Sequence, residues 1–190
     1  MSRIEVTSIY GGVLFSYECD GNTLKKTVEE AVRQGANLSG ANLIGADLSK
    51  ADLARCVLIG ANLRGAYLRG TDLRRCILIG ANLKGADLRE CMLVGYSLRG
   101  AYMRGACLRE ATLEGESLHI APVIATGLTY WVLITEGYMQ VDDKRYTHKE
   151  WAGFSDDEVI SLMDDCALEF WKQWRNPLLA MCEAHRAKVI

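Results

Sequence analysis

The sequence is short of several things, and each shortage removes a class of function. Its 190 residues carry a formal net charge of −2 and a pI near 6, so there is no global basic signature and any polyanion contact must come from a local patch. No apolar run approaches the length that spans a bilayer, and MSRIEVTSIYGG lacks the charged-then-apolar pattern of a secretory signal, so a cytoplasmic location is expected. The seven cysteines are odd in number and show no CxxC pair. A disulfide framework or zinc ribbon is therefore not expected, and reduced thiols are. There is no glycine-rich phosphate loop, and no nucleophile beside a base stands out.

What the chain has in quantity is apolar residues, 49% of the total, which is enough to bury a substantial interior. Charge is unevenly shared. Residues 1–35 carry four Lys/Arg and five Asp/Glu, residues 36–120 carry eleven and eight, and residues 121–190 carry seven and eleven.

The strongest signal is an echo: CVLIGANLRG from Cys56 returns as CILIGANLKG from Cys76. From Ala36 the chain reads in fives, ANLSG, ANLIG, ADLSK, ADLAR, CVLIG and onward to ESLHI, seventeen units with Leu at every centre except Met103. A helix turns about 500° in five residues and keeps no face at this period. An unbroken strand alternates with period two and does not fit either. Each unit must turn a corner, with its first and third side chains inward, its second and fourth outward, and its fifth, most often Gly, absorbing the bend. The self-match at twenty makes four units one coil, so Cys56 lies under Cys76, Ile59 under Ile79 and Asn62 under Asn82. Seventeen units give a little over four coils, a rod of roughly 20 Å at about 4.8 Å per rung.

The recurrent A(D/N)LXX over residues 36–120 resembles the pentapeptide-repeat family. The resemblance implies a mainly β fold, a right-handed quadrilateral β-helix (β-solenoid), and the right hand is also what crossover sterics favour. Val57, Ile77 and Met92 depart from the usual Asp or Asn, and Glu116 puts a charge at an inward position, which predicts the end of the regular coil there.

Sorting units by side yields the exterior. Side one, beginning at Ala36, Cys56, Cys76 and Tyr96, presents Val57, Ile59, Ile77 and Ile79; this aliphatic patch is either packed under the tail or an interface with a partner or a second copy in a homodimer. Side two stacks Arg64, Lys84 and Arg104, and side three stacks Arg69, Arg89 and Arg109, with Tyr67 and Tyr102 among them. These rows are a candidate binding stripe for a partner or a polyanion such as nucleic acid, although Asp47, Asp87, Glu90 and Glu110 can partly neutralise it. Side four mixes Asp52, Asp72, Arg74, Arg75 and Glu114.

Caps are expected at both ends, because an open coil exposes its interior and its backbone edge. The N-terminal cap, residues 1–35, reads as a hairpin, Ile4–Tyr10 and Val13–Tyr17 around Gly11-Gly12, followed by a helix N-capped by Thr23 that should plug the first coil. Residues 121–190 read as an α+β domain holding all four tryptophans. It comprises a hairpin around Glu136-Gly137, a helix capped by Ser155 with Val159, Met163, Cys166, Phe170 and Trp174 on one face, and a second helix started by Asn176-Pro177.

No catalytic residue, metal or cofactor is assigned. Cys182 and His185 form a CxxH without a second pair, and His148 reads as a solvated or hydrogen-bonded histidine. The leading expectation is a non-enzymatic interaction protein whose partner is a protein, namely a nucleic-acid-handling or defence complex that it inhibits. The family resemblance adds that some members imitate duplex DNA in width and charge. A mimic here would use the acidic C-terminal surface of Asp142, Asp143, Asp156, Asp157, Glu158, Asp164 and Asp165. The layout of cap, repeats and Trp-rich tail is also similar to small phage and prophage proteins. The alternatives are direct nucleic-acid binding through the Arg/Lys stripe, or a ligand-binding or enzymatic domain at 121–190 with the rod as spacer.

Overall fold

The computed structural model describes residues 1–94, 98–104, 106–108, 110–113, 116–118, 122–125, 128, 130–142, 144–163 and 167–187. It forms two compact units, Met1–His119 and Ile120–Ile190.

In the first unit the pentad sets both the turns and the ladder. Among the described residues from Ala41 to Ala111, the turns close with a bond from the first residue of one unit to the central residue of the unit before, as in Ala61 N to Leu58 O at 3.1 Å. The residue before Ala61, Gly60, has φ +63°, a left-handed value that a side chain adopts only at a cost. Between coils the bonds join residues about twenty apart: Leu58 N donates to Ile77 O at 2.9 Å and Ile77 N donates to Cys56 O at 2.9 Å. The outward second residues pair in parallel up each side, for example Asn42 with Asn62 and Asn62 with Asn82. Most of this pairing is by isolated bridges, since five residues leave little room for a strand between corners. Among the described residues, only Met92–Leu93 (β3) and Thr112–Leu113 (β4) form two-residue parallel strands within the coil.

The interior is filled by the predicted columns. Leu38, Leu58, Leu78 and Leu98 are fully buried, as are Ala61, Ala66 and Ala81. Thr71 and Cys91 share an alanine column and satisfy their polar atoms on the coil below, donating to Leu48 O and Leu68 O, each at 2.8 Å. Burial pushes the Cys91 thiol up to about 12, consistent with core filler. Cys56 and Cys76, with Cα atoms 4.6 Å apart, are joined in a disulfide where reduced thiols are expected. The stacking that superposes the two residues puts them within bonding reach.

The coil ends where Glu116 breaks the pattern. Glu116–Ser117 (β5) turns back antiparallel to β4, pairing Thr112 with Ser117. The seventeenth unit is therefore a reversal and not a further side of the coil.

At the front, Ser2–Thr7 (β1) and Val13–Cys19 (β2) form an antiparallel hairpin, and the chain just after β1 continues onto the first coil through Ile9 N to Gly40 O at 2.8 Å. Helix α1, Leu24–Arg33, is N-capped by Thr23, whose hydroxyl accepts from Lys26 N. It buries Thr27, Val28 and Ala31. Its polar side chains occupy the open backbone edge: Lys25 Nζ donates to Ser49 O at 2.7 Å, and Glu29 accepts from Asp52 N at 3.1 Å. This covers donors and acceptors that a bare first coil would leave unpaired.

The second unit is built on four antiparallel strands, not one hairpin: Val123–Ala125 (β6), Val132–Ile134 (β7), Tyr138–Val141 (β8) and Lys144–Thr147 (β9), in that order. Helix α2, His148–Gly153, is not anticipated from the sequence and carries a Thr147–Glu150 capping box. Helix α3, Asp156–Leu162, has the expected Ser155–Glu158 box but ends at Leu162, before Phe170 and Trp174. Those residues lie on α4, Ala167–Arg186, which runs through Pro177 instead of stopping there. An interior proline costs roughly 3 kcal/mol. One buried stripe continues on both sides of it, with Phe170 and Trp171 before and Leu178, Cys182 and His185 after, and that burial holds the helix together. Trp151 anchors this core: it is fully buried, its indole N–H donates to Met139 O, and its ring lies 5.1 Å from Trp171 and 5.3 Å from Phe154.

Candidate interaction surface

The two basic rows differ in electrical state. Their difference begins at the second residue of each pentad. Where that residue is Asn or Asp it accepts a bond from the backbone N–H two positions on: Asn62 from Arg64, Asn82 from Lys84 and Asp87 from Arg89. Asn and Asp perform this local task equally well, but Asp has a charge left over. On side three Asp87 takes the Arg89 guanidinium in a two-pronged bond, Nε to Oδ1 at 2.7 Å and Nη2 to Oδ2 at 2.5 Å. Arg69 reaches up to the corner residue Glu90 at 2.5 Å. These arginines hold the Asp87 and Glu90 carboxyls below the usual carboxylate range, and the carboxylates raise Arg89 and Arg69 in return. Arg109 lies outside the described residues.

On side two the exposed Arg64, Lys84 and Arg104 have no carboxylate partner among the described residues. Tyr102 stands in the same side's second-residue column at 69% exposure, and Tyr67 is exposed on side three. Among the described residues of the two rows, the cations without a carboxylate partner are those of side two.

Side one remains partly open. Ile59 and Ile77 are 43% and 36% exposed, while Val57 and Ile79 are half-buried, and Ile44 on side two is also exposed. Side four holds its own pair, Arg74 with Asp72, which lowers the Asp72 carboxyl.

The acidic residues of the second unit have local occupations. Asp142 accepts from Trp131 N at 3.0 Å, while Asp156 and Asp157 sit in the first turn of α3, where negative charge suits the helix end. Glu158 closes the Ser155 capping box and lies below its ordinary range because of it. Asp143, Asp164 and Asp165 are outside the described residues. Cys182 and His185 are both buried; the Cys182 sulfur contacts Met139 Sδ at 3.9 Å, and burial pushes its thiol up to about 12. His148 is buried rather than solvated, at 8% exposure. Among the described residues no three His, Cys, Asp or Glu gather as a metal site, and no helix is long and apolar enough to cross a membrane.

Comparison with known proteins bears on the repeat alone. The family described as pentapeptide repeats, in eight copies, matches residues 36–75 and 76–115. A pentapeptide-repeat protein of Nostoc PCC 7120 is 39% identical over 46% of this chain and 78% of its own, with a TM-score of 0.41. A second, from the cyanobacterium Cyanothece 51142, is 34% identical over 41% of this chain and 58% of its own, with a TM-score of 0.22. HetL, a pentapeptide-repeat protein of Nostoc sp. PCC 7120 involved in heterocyst differentiation regulation, is 29% identical over 44% of this chain and 52% of its own, with a TM-score of 0.21. No curated protein matches the chain. With seventeen pentads in the sequence, side chains stacked at intervals of twenty, and 39% identity to a solved relative over most of that relative's length, this chain belongs to the pentapeptide-repeat family.

Proposed function

We propose that this protein is a non-enzymatic binding rod: its coil, right-handed as the family's fold implies, presents a working edge where side one meets side two, and residues 1–35 and 121–190 act as flanking domains. The observation that supports this most is the exposure of Ile59 and Ile77 on side one and of Ile44 on side two, where Ile44 stands at the foot of the column that continues as Arg64, Lys84 and Arg104, cations with no carboxylate partner among the described residues. An apolar band with a cationic border suits a protein partner with an acidic rim, because burial supplies affinity and charge supplies orientation. Nucleic acid alone would leave the isoleucines in water. The partner class we assign is a nucleic-acid-handling or defence complex, with inhibition as the consequence of binding, in the cytoplasm of a phage-bearing cell.

The test is capture from nuclease-treated lysate with wild type, Ile59→Glu/Ile77→Glu and Arg69→Glu/Arg89→Glu. Loss of the captured protein in the isoleucine variant, with retention in the side-three variant, supports the reading. The same protein captured by all three would overturn it. A salt-dependent gel shift with purified DNA or RNA, abolished by Arg64→Gln/Lys84→Gln, would instead favour direct nucleic-acid binding.

A further inference from the structure

The corner between sides four and one carries arginine where the corners on either side of side two carry glycine; the corner between sides three and four also departs from glycine, at Lys50, Glu90 and Glu110. Elsewhere the fifth residue is commonly Gly, as at Gly60 and Gly80, with φ +63° and +67°. Here the stacked residues are Arg55 and Arg75, with φ +65° and +60°, so two long cationic side chains occupy left-handed positions where glycine would sit without strain. Corner side chains can reach a neighbouring coil, as Glu90 does toward Arg69. Arg55 and Arg75, however, meet no carboxylate among the described residues.

Between them is a cleft of about 380 Å³, lined by Ala54, Arg55, Arg74 and Arg75. The space exists because Ala54 stands in the column where the next coil places Arg74. Arg74 is already committed to Asp72, through Nη2 to Oδ2 at 2.5 Å, which fixes its guanidinium at the edge of the cleft. That leaves two free guanidinium forks facing one small volume with no acidic residue in its lining. A second cleft of about 530 Å³ shares Ala54, Arg55 and Arg74 but is charge-balanced, with Glu29, Asp52 and Asp72 among its walls.

We propose that the Arg55–Arg75 corner binds a phosphate monoester group. A carboxylate has two oxygens and one charge and satisfies a single fork. A phosphate monoester carries about 1.5 to 2 negative charges at neutral pH and three terminal oxygens, enough for both forks at once. The carboxylates of Asp52 and Asp72 beside the cleft oppose a long polyanion lying along side four, so the ligand is a single phosphate, either free or at the end of a chain. This site is independent of the isoleucine edge and does not require it to be the partner surface.

The experiment is titration calorimetry of the full chain with inorganic phosphate, using wild type, Arg55→Gly/Arg75→Gly, Arg75→Gln and the control Arg64→Gln/Lys84→Gln. Glycine is the residue found at equivalent corners, so the double glycine variant relieves backbone strain and keeps the fold, which circular dichroism checks. Expected are saturable binding to wild type, an affinity loss of at least tenfold in the glycine variant, a smaller loss in Arg75→Gln, and no change in the control. Binding should weaken from pH 7.5 to pH 5, as the ligand's second proton returns near pH 6. A 5′-phosphorylated oligonucleotide that outbinds both its 5′-hydroxyl twin and free phosphate assigns the site to a chain end; equality of the two oligonucleotides assigns it to free phosphate. Absence of saturable binding to wild type, or equal loss in the glycine variant and the control, overturns the proposal.

Discussion

Sides two and three are neighbours on one coil, share the same pentad grammar, and carry rows of cations at the same position, yet among the described residues Arg69 and Arg89 are paired with carboxylates and Arg64, Lys84 and Arg104 are not. The difference lies two residues earlier. Asn82 and Asp87 each accept a backbone N–H from the residue two ahead, at 3.2 Å in both cases, so the turn is indifferent to which is present. The spare charge on Asp87 then claims Arg89, and the corner residue Glu90 claims Arg69 from the next coil. A solenoid's fold and its surface potential are therefore specified at separate positions. A side can change its electrical character without disturbing the ladder beneath it.

Because both sides rest on the same interior, their largest common response should be structural. Leu63 and Leu68 are both buried, at 0% and 1% exposure, one under each side. Truncation of either to Ala should cost about 2–5 kcal/mol in denaturant unfolding. A clear inequality between the two would mean that the sides differ below the surface as well.

Next in size is conversion of one side into the other. Asp87→Asn with Glu90→Gln should free two arginines and steepen the salt dependence of heparin or DNA binding by about 0.9 logarithmic units per cation engaged. Asn62→Asp with Asn82→Asp should do the reverse on side two. If neither pair of substitutions alters the slope, the ion pairs do not control the surface.

Acid should perform the first conversion reversibly. The Asp87 and Glu90 carboxyls are held below their ordinary range chiefly by hydrogen bonds from Arg89 and Arg69. A depressed carboxylate contributes stability above its unfolded value near pH 4 and loses it as pH falls through the lower folded value. Heparin retention of wild type should therefore rise below about pH 4 more than that of Asp87→Asn/Glu90→Gln. Parallel retention curves would count against the pairing.

The smallest effect expected is on stability from the surface pairs themselves. Arg69→Gln exposes no new interior, and an exposed ion pair in water contributes little, so its thermal midpoint should lie close to that of wild type.

The two compact units were not equally legible. The coil could be read from sequence because its period is local: five residues turn one corner, twenty complete a circuit, and every inward position repeats the same small or leucine side chain. Its end at Glu116 was readable for the same reason, as a charge placed where the interior must be apolar. The C-terminal unit lacks such a period. Its capping boxes at Thr147 and Ser155 are local bonds, yet only the second precedes an apolar periodic run that marks a helix in the sequence. The proline signal at Pro177 was outweighed by a burial stripe that continues on both sides of it. The pentad register places the stripe cations on their sides, but which of the described ones pair depends on carboxylates up to twenty-one residues away, and a cleft bordered by Arg55 and Arg75 follows from no local pattern.

By itself the sequence determined the four-sided coil, its buried columns and the outward rows, because each follows from backbone bonds and sterics that repeat every five residues. Tertiary structure alone decided which charges cancel, which isoleucines remain exposed, where two arginines border an acid-free cleft, and that α4 passes through Pro177. Those outcomes depend on distances between side chains far apart in the chain, and at that range a residue's identity constrains its partner far less than the packing that brings them together.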